Sequence, residues 1–435
     1  MIPAVTTEQP LSTTRTSWTG WTPAHGNPIP PAMGNADPRT SFVLNLGRAL
    51  HTSGYSADRL EEALSLASER LGLEAQFFST PTSIMASFGP QDDQRTFMIR
   101  VMPGDSNLGK LARVDQVTRD VLGGRLTPSE GTGAIAAIES AAPDYGPVLT
   151  TAAFGIASGS AARFIGGGLT EVVVGLCVGV VIGLLALFAA RHAGLGRVFE
   201  PVAAFTGSAL VTLVAAAGVP VSVLLATLAG VIILIPGLTL TTAFTELSTR
   251  HLASGTARLA GALVLLLGIT FGIALGTKIV TVITGAVPGV DPTQLPDWTL
   301  AVALVTTPLA FVVLLKAEAR DAGYIIAAGA LAFLGARIGG QVLGPELGAF
   351  GGALLTGIGS RMYSRFTNRP SQITLVPGLL LLVPGSIGLR SLTSMTEGNV
   401  LLGVEGAFRM GLIAVSLASG ILIARLVTPR RMLMD

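Results

Sequence analysis

The stretch GVIILIPGLTLTTAF, Gly230 to Phe244, decides how this sequence is read. A run this apolar should form a buried helix, yet Pro236-Gly237 stands at its centre. Proline has no N–H for the helical ladder and clashes with the carbonyl four residues back, and glycine costs about 1 kcal/mol in a helix interior. The break occurs twice. VPGLLLLVPGSIGLRS, Val376 to Ser391, repeats the device at an offset of 148, with Gly230/Gly378, Leu234/Leu382, Pro236/Pro384 and Gly237/Gly385 identical.

Composition sets the class. The 435 residues are 50% hydrophobic and 12% charged, with 54 Gly and a mean hydropathy of +0.64, which excludes a soluble globule and indicates a membrane protein. A net charge of +2 names no partner, and nothing points to nucleic acid. Cys177 is the only cysteine, so an intrachain disulfide and a cysteine-built metal site are excluded. Residues 1–38, rich in Thr, Pro and Gly, read as a disordered tail without a cleaved signal. Residues 39–145 read as a soluble α+β domain. FVLNLGRALHTSG and SADRLEEALSLASERLGL have helical spacing, the second with Leu60, Leu64 and Leu71 on one face. QFFSTPTSIMASFG and RTFMIRVM flank the polar PQDDQ as a β-hairpin, and two more helices follow. The domain holds no metal-ligand cluster, no Gly-x-Ser-x-Gly and no phosphate loop. No cofactor is expected, and no enzyme can be derived from it.

From 147 onward, apolar segments near the ~20 residues that cross a bilayer recur. They lie at 147–168, 170–190, 200–218, 220–242, 257–277, 299–316, 323–340, 345–361, 372–390 and 403–424. The loops after the even-numbered segments carry Arg191 and Arg197, Arg250 and Arg258, Lys316 and Arg320, Arg361, Arg365 and Arg369, then Arg425, Arg430 and Arg431. Positive charge marks the cytoplasmic side, so both termini are expected there. AFTGSALV (204–211) resembles AFGGALLT (349–356), and five segments separate each related pair. An odd number inverts the second copy. The expected fold is an α-helical integral membrane protein of ten transmembrane helices, arranged as two inverted five-helix repeats (146–290 and 291–435, the latter with a short basic tail), behind an N-terminal cytoplasmic α+β domain. Small residues every fourth position, Gly268/Gly272/Gly276 against Ser416/Gly420/Ala424, and Gly175/Gly179/Gly183, suit close helix packing.

Inverted repeats with interrupted helices are the pattern of secondary transporters, whose site lies where the breaks meet. Pro236 frees the carbonyl of Ile232 and Pro384 that of Leu380, while each following half-helix presents free N–H groups and a positive dipole end. Free carbonyls beside free amides suit a zwitterion. The substrate-binding candidates are Pro236, Gly237, Thr239, Thr242, Pro384, Gly385 and Ser386, with Thr241 as a further hydroxyl; the competing reading is a proline kink healed by its neighbours. Ionisable residues within spans are costly unless paired or wet. Glu246, two turns past the first break and expected to face the cytoplasmic vestibule, and Glu405 with Arg409, four apart on the last span, are the proton-coupling candidates. The competing readings are an interfacial carboxylate and a self-neutralising pair. Glu200 and Glu346 open related helices and read as dipole partners.

SGYSADRLEEALSLASERLGLEAQFFSTPTSIMASF with NLGKLARVDQVTRDVLGGRLTPSEG resembles the soluble domain of the threonine/serine exporter (ThrE) family, through Gly54, Arg59-Leu60-Glu61 and Leu71-Gly72-Leu73. LIPGLTLTTAFTELSTRHLASGTARLAGAL resembles the family's first membrane half and LVPGLLLLVPGSIGLRSL its second. The resemblance covers about residues 40 to 427. It implies a ten-span carrier in the bacterial plasma membrane that exports threonine and serine on the proton gradient. The partners so implied are those amino acids, protons and the bilayer; a homo-oligomer is left open. Relatives with the two halves on separate chains resemble dicarboxylate exporters, so a dicarboxylate cargo is the alternative. A membrane-anchored hydrolase is the reading from another class.

Overall fold

Leu60 and Leu64, one turn apart, are both buried, and around them the first hundred residues of the described chain assemble. The computed structural model describes residues 37–428 apart from 103, 105 and 397, so the expected tail and the basic residues after 428 lie outside it. From Pro38 onward the chain forms one compact unit. Helices α1 (Pro38–Thr52) and α2 (Ala57–Arg70) precede strands β1 (Ala75–Thr80), β2 (Ser83–Phe88) and β3 (Arg95–Arg100), and helices α3 (Leu108–Leu122) and α4 (Pro128–Ser140) follow. The expected hairpin is a three-stranded antiparallel meander, because QFFSTPTSIMASF folds back on itself and pairs Thr80 with Ser83. Pro81 cannot donate to a ladder, which is why the turn falls there. Phe42, Leu46, Leu50, Ile84, Leu111 and Ile135 complete this core. Thr127 and Glu130 start α4 with a reciprocal capping box.

Beyond it run α5 (Pro147–Phe164), α6 (Leu169–Ala189), a single turn α7 (Ala193–Gly196), α8 (Phe199–Ala216), α9 (Val223–Gly230), α10 (Gly237–Ser248) and α11 (Leu252–Thr284). Then come α12 (Trp298–Leu314), α13 (Ala322–Leu343), α14 (Pro345–Thr367), α15 (Gln372–Leu380), α16 (Gly385–Thr396) and α17 (Val400–Val427). Among the described residues six helical segments are long and apolar enough to cross a membrane, and the bent pair α9–α10 makes a seventh. Helices α5, α12 and α14 do not meet that measure. The first is diluted by Gly, Ser and Thr, the second has 17 residues, and the third carries Glu346, Arg361 and Arg365. Exposed Leu184, Val264, Leu267, Phe271, Val282 and Phe408 leave an apolar exterior that only lipid can cover. The protein is a multi-pass membrane protein.

Small residues set the helix spacing. Gly272 on α11 sits so close to α8 that a Cβ there would lie 2.3 Å from the Pro201 carbonyl oxygen, and at Gly420 on α17 it would lie 2.7 Å from the Phe350 oxygen of α14. Both contacts are to the helices carrying the AF-x-G resemblance. On α6, Gly179 and Gly183 admit Phe154 and Ser158 of α5 in the same way. Backbone approach of this kind replaces the hydrophobic drive that lipid cannot supply.

One buried carboxylate holds an end of this bundle together. Glu171, 1% exposed, accepts from the N–H of Gly168 at 2.7 Å and from that of Ser222, just before α9, at 2.8 Å. Glu171→Ala strands two buried donors, each worth roughly 1–3 kcal/mol. The purified variant should melt well below wild type, whereas Glu405→Ala, at a half-exposed position, should not. Equal melting of all three proteins would contradict this assignment.

Candidate functional site

At the first break α9 stops at Gly230, a 3₁₀ turn covers Ile232–Leu234, and Pro236 (φ −77°, ψ 45°) leads into α10 across a bend of 52°. The carbonyl of Ile232, expected to be free, accepts from the Ile235 N–H at 3.3 Å. Tightening the last turn to 3₁₀ geometry supplies the donor that Pro236 lacks. At the second break α15 ends at Leu380, Leu382 donates to the Leu379 carbonyl at 2.8 Å, and α16 starts at Gly385. This span, Gln372–Thr396, is not bent as sharply as the first.

The two breaks meet. A Cβ on Gly237 would fall 2.0 Å from Val383 Cγ1, and one on Gly385 would fall 2.4 Å from Ile235 Cγ2 and 3.3 Å from the Gly237 Cα. The contact is reciprocal: each glycine receives the side chain two residues before the other. Pro236, Gly237, Pro384 and Gly385 are therefore brought together and buried, while Thr239, Thr242 and Ser386 beside them are half-buried. Thr241 spends its hydroxyl on the Gly237 carbonyl, 3.2 Å away, and Thr245 on that of Thr241. The hydroxyls of Thr239, Thr242 and Ser386 make no hydrogen bond among the described residues. The breaks are closed on each other; a cavity of about 360 Å³ lies elsewhere, lined by Ala215, Pro220, Thr284 and Val287.

Glu246, in the last turns of α10, does not face a vestibule. It is fully buried, and its Oε1 accepts from the Ala57 N–H at 2.8 Å and from Arg258 Nε at 3.0 Å. The first turn of α2 has no side-chain cap of its own, so a carboxylate from α10 caps it instead. Glu405 and Arg409 are not a simple pair either. Arg409 reaches Glu346 at 3.0 Å, across to the start of α14, and Glu405 only at 3.9 Å; Glu405 and Arg409 are more than half exposed. Glu346 opens its helix as expected, but its partner is a guanidinium as well as a dipole.

Sequence reasoning missed how residues 38–145 seat on the helix ends. Asp58, next to Ala57, binds Arg425 of α17 at 2.7 Å. Glu61 accepts from the Ser79 N–H at 2.6 Å and lies 3.4 Å from His251. Leu108 and Gly109 donate their N–H groups to the carbonyls of Leu315 and Lys316, where α12 ends, and the Tyr145 hydroxyl donates to Ala317. Arg119 donates to the Asn368 carbonyl beyond α14. The available signal was the basic set Arg258, Lys316 and Arg425, read only as a mark of topology. The ends of α10, α12, α14 and α17 thus share one face, covered by the α+β portion.

Residues 41–280 match the family model described as "Putative threonine/serine exporter", and residues 300–427 match "Threonine/Serine exporter, ThrE". The chain belongs to the threonine/serine exporter family. Among curated relatives, "Pheromone-regulated membrane protein 10" of Debaryomyces hansenii is 24% identical over 86% of this chain, and that of Eremothecium gossypii 25% over 83%. An uncharacterized protein of Schizosaccharomyces pombe is 23% identical over 85% of this chain. The chain spans only 37% to 50% of the length of these relatives. No solved structure matches.

In this exporter-family chain the Asp58 carboxyl tests the seating directly. Burial alone would raise its pKa, but the charge and hydrogen bond of Arg425, the Ser56 hydroxyl and the charge of Arg59 together outweigh burial and hold it at about 2, against an ordinary 3.8. A depressed acid contributes stability that is complete above the unfolded value and lost as pH falls towards the folded one, so the tie should hold at pH 5 and fail between about 4 and 2. Asp58→Ala removes one member of a buried pair, at a cost of about 3–5 kcal/mol. The variant should melt lower and be cut faster by protease between α2 and α3, with its acid transition flattened. Wild-type melting and cleavage in the variant would show that the contact is incidental.

Proposed function

We propose that the protein is a secondary carrier exporting threonine and serine from the bacterial cytoplasm, with substrate bound where Pro236-Gly237 and Pro384-Gly385 meet. The reciprocal contact of the two breaks carries this reading. Half-helices α10 and α16 each begin at that contact, and the first N–H groups of a helix have no intrahelical acceptor, so two positive helix ends are available for a carboxylate. Pro384 offers no N–H to the Leu380 carbonyl, which leaves an acceptor for the ammonium group. The uncommitted hydroxyls of Thr239, Thr242 and Ser386 suit a cargo that itself carries a hydroxyl. Since the breaks are closed on each other, loading requires α10 and α16 to separate.

In this reading the membrane portion is ten spans in two inverted repeats, 146–290 and 291–435, residues 39–145 are a cytoplasmic domain, and both termini are cytoplasmic in the plasma membrane. What supports the inversion is the matched packing: α8 against α11 and α14 against α17, α10 against α11 and α16 against α17, with α10 crossing to α17 and α11 to α16. What supports the domain's side is the basic set on the face it covers. Proton coupling is assigned first to Glu246. As a carboxylate it ties α10 to α2 and to Arg258 through Oε1; a proton on the unpartnered Oε2 leaves Oε1 a neutral acceptor, which weakens both bonds and loosens α10. Glu405, with Arg409 and Glu346 at the opposite end of the bundle, is the second candidate.

Counterflow in liposomes tests the cargo and the coupling together. Preloaded threonine or serine should drive uptake of labelled threonine, and dicarboxylates should not. Glu246→Gln should keep exchange and lose export against a gradient. Exchange of dicarboxylates alone would overturn the cargo, and gradient-driven export by Glu246→Gln at the wild-type rate would overturn the coupling.

A further inference from the structure

Each broken helix starts against a buried carboxylate at the beginning of a helix it packs on. Glu171, in the first turn of α6, accepts from the N–H of Ser222, the residue before α9. Asp321, 2% exposed, closes a 3₁₀ turn, Ala319–Asp321, that runs into α13. Its Oδ2 accepts from Arg369 Nη2 at 2.9 Å, and its Oδ1 from the Tyr363 hydroxyl of α14 at 2.8 Å. Arg369 stands between the end of α14 and the start of α15, and its Nη1 also meets Glu318 at 3.0 Å. The two contacts keep the spacing of the repeated breaks: 171 to 321 is 150 positions and 222 to 369 is 147, against the 148 that separates Pro236 from Pro384. The packing matches as well, α6 on α9 and α13 on α15. The contacts lie at opposite ends of the bundle. Tyr145 donates to the Ala317 carbonyl and Arg119 to that of Asn368, so the α+β portion covers both sides of the Asp321 contact. Glu171 lies where α5 ends and α12 starts, the end at which Arg163 meets the Thr299 hydroxyl at 2.6 Å. A Cβ on Gly168, the other donor to Glu171, would fall 2.6 Å from the Thr293 carbonyl oxygen in the loop between α11 and α12.

We propose that Glu171 and Asp321 are matched positioning residues, two latches that hold the starts of α9 and α15 at opposite ends of the bundle. The proposal rests on the reading of the two broken helices as the elements that move in transport. A helix whose entry is tied to a buried carboxylate cannot tilt away at that end without stripping the charge of its partners, which is costly in a low-dielectric interior. The other end of each half-helix carries the Pro-Gly break, where the backbone ladder is already interrupted. Release of one latch therefore frees one broken helix at one end and leaves the other seated. The two latches differ in chemistry. Neutral backbone amides hold Glu171, whereas a guanidinium and a phenol hold Asp321. The Asp321 latch also lies under the α+β portion, so opening it shifts the contacts of Tyr145 and Arg119 as well.

Two reporters read the latches separately. In the full chain with Cys177→Ser, Val221→Cys lies next to Ser222 and Thr374→Cys lies in the first turn of α15; Val221 and Thr374 are 1% and 2% exposed. Maleimide labelling of detergent-purified, monodisperse protein without substrate follows local opening. Asp321→Ala should raise the Thr374→Cys rate at least about tenfold, the effect of losing a hydrogen bond to a charged group, and leave Val221→Cys at its starting rate. Glu171→Ala should do the reverse. Tyr363→Phe, which removes one hydroxyl and keeps the Arg369 pair, should raise the Thr374→Cys rate by a smaller factor. Exposure of both reporters by either acid variant would mark general loosening and overturn the latches. So would a starting rate for Val221→Cys in Glu171→Ala, for Thr374→Cys in Asp321→Ala, or, should Asp321→Ala not fold, for Thr374→Cys in Tyr363→Phe. The labelling needs no cargo, so a failed latch and a failed transport reading show in different experiments.

Discussion

Two glycines touching back to back, Gly237 and Gly385, set the distance at which everything else in the bundle is arranged. Val383 and Ile235 occupy the space that a Cβ would need at either position, so no other residue fits without displacing one of those side chains. That contact requires both helices to stop where they do, and the prolines stop them. It also places the starts of α10 and α16, the polar ends of two short helices, side by side inside an apolar bundle. Such an arrangement is expensive in lipid unless neighbouring groups or a ligand satisfy it. The 3₁₀ turn at Ile232–Leu234 satisfies part of the first break from within.

The same half-helix α10 is gripped at its far end. Glu246 caps α2, and the next residue of α2, Asp58, holds α17, so one helical turn of the α+β portion clasps two helices that pack on each other. Any motion that parts α10 from α17 on that face breaks both ties. The break at one end and the clasp at the other make α10 a short lever with its fixed points identified. Its length, 12 residues, is about three turns. A carboxylate at the clasp gives protons a direct hold on that lever in the mechanism proposed above.

Some of this is legible in sequence and some is not, for physical reasons. The Pro-Gly breaks are local chemistry: a missing N–H and a missing Cβ show in the residues themselves. The helices between 38 and 140 follow from spacing and caps. The meander is less legible, because β-formers lie on both sides of a two-residue turn in QFFSTPTSIMASF and Pro81 is its one local signal. Ion pairs are the least legible, since charge does not name its partner. Asp58 and Arg425 lie 367 positions apart, and Arg409 prefers Glu346 on another helix to Glu405 on its own. Arg258 and Arg425 look like topology marks, and their second task, holding buried carboxylates, appears only once α2 is seen against them.

The central claim is that the meeting point of the two breaks is where cargo passes. Replacing Gly385 by Ala wedges one methyl group into that contact, against Ile235, while Gly411→Ala on α17 adds the same methyl group where nothing lies within 4 Å. Threonine counterflow should fall at least about tenfold, some 1.4 kcal/mol, in Gly385→Ala and stay at the wild-type rate in Gly411→Ala, with both proteins folded and monodisperse. Wild-type counterflow in folded Gly385→Ala would contradict the account.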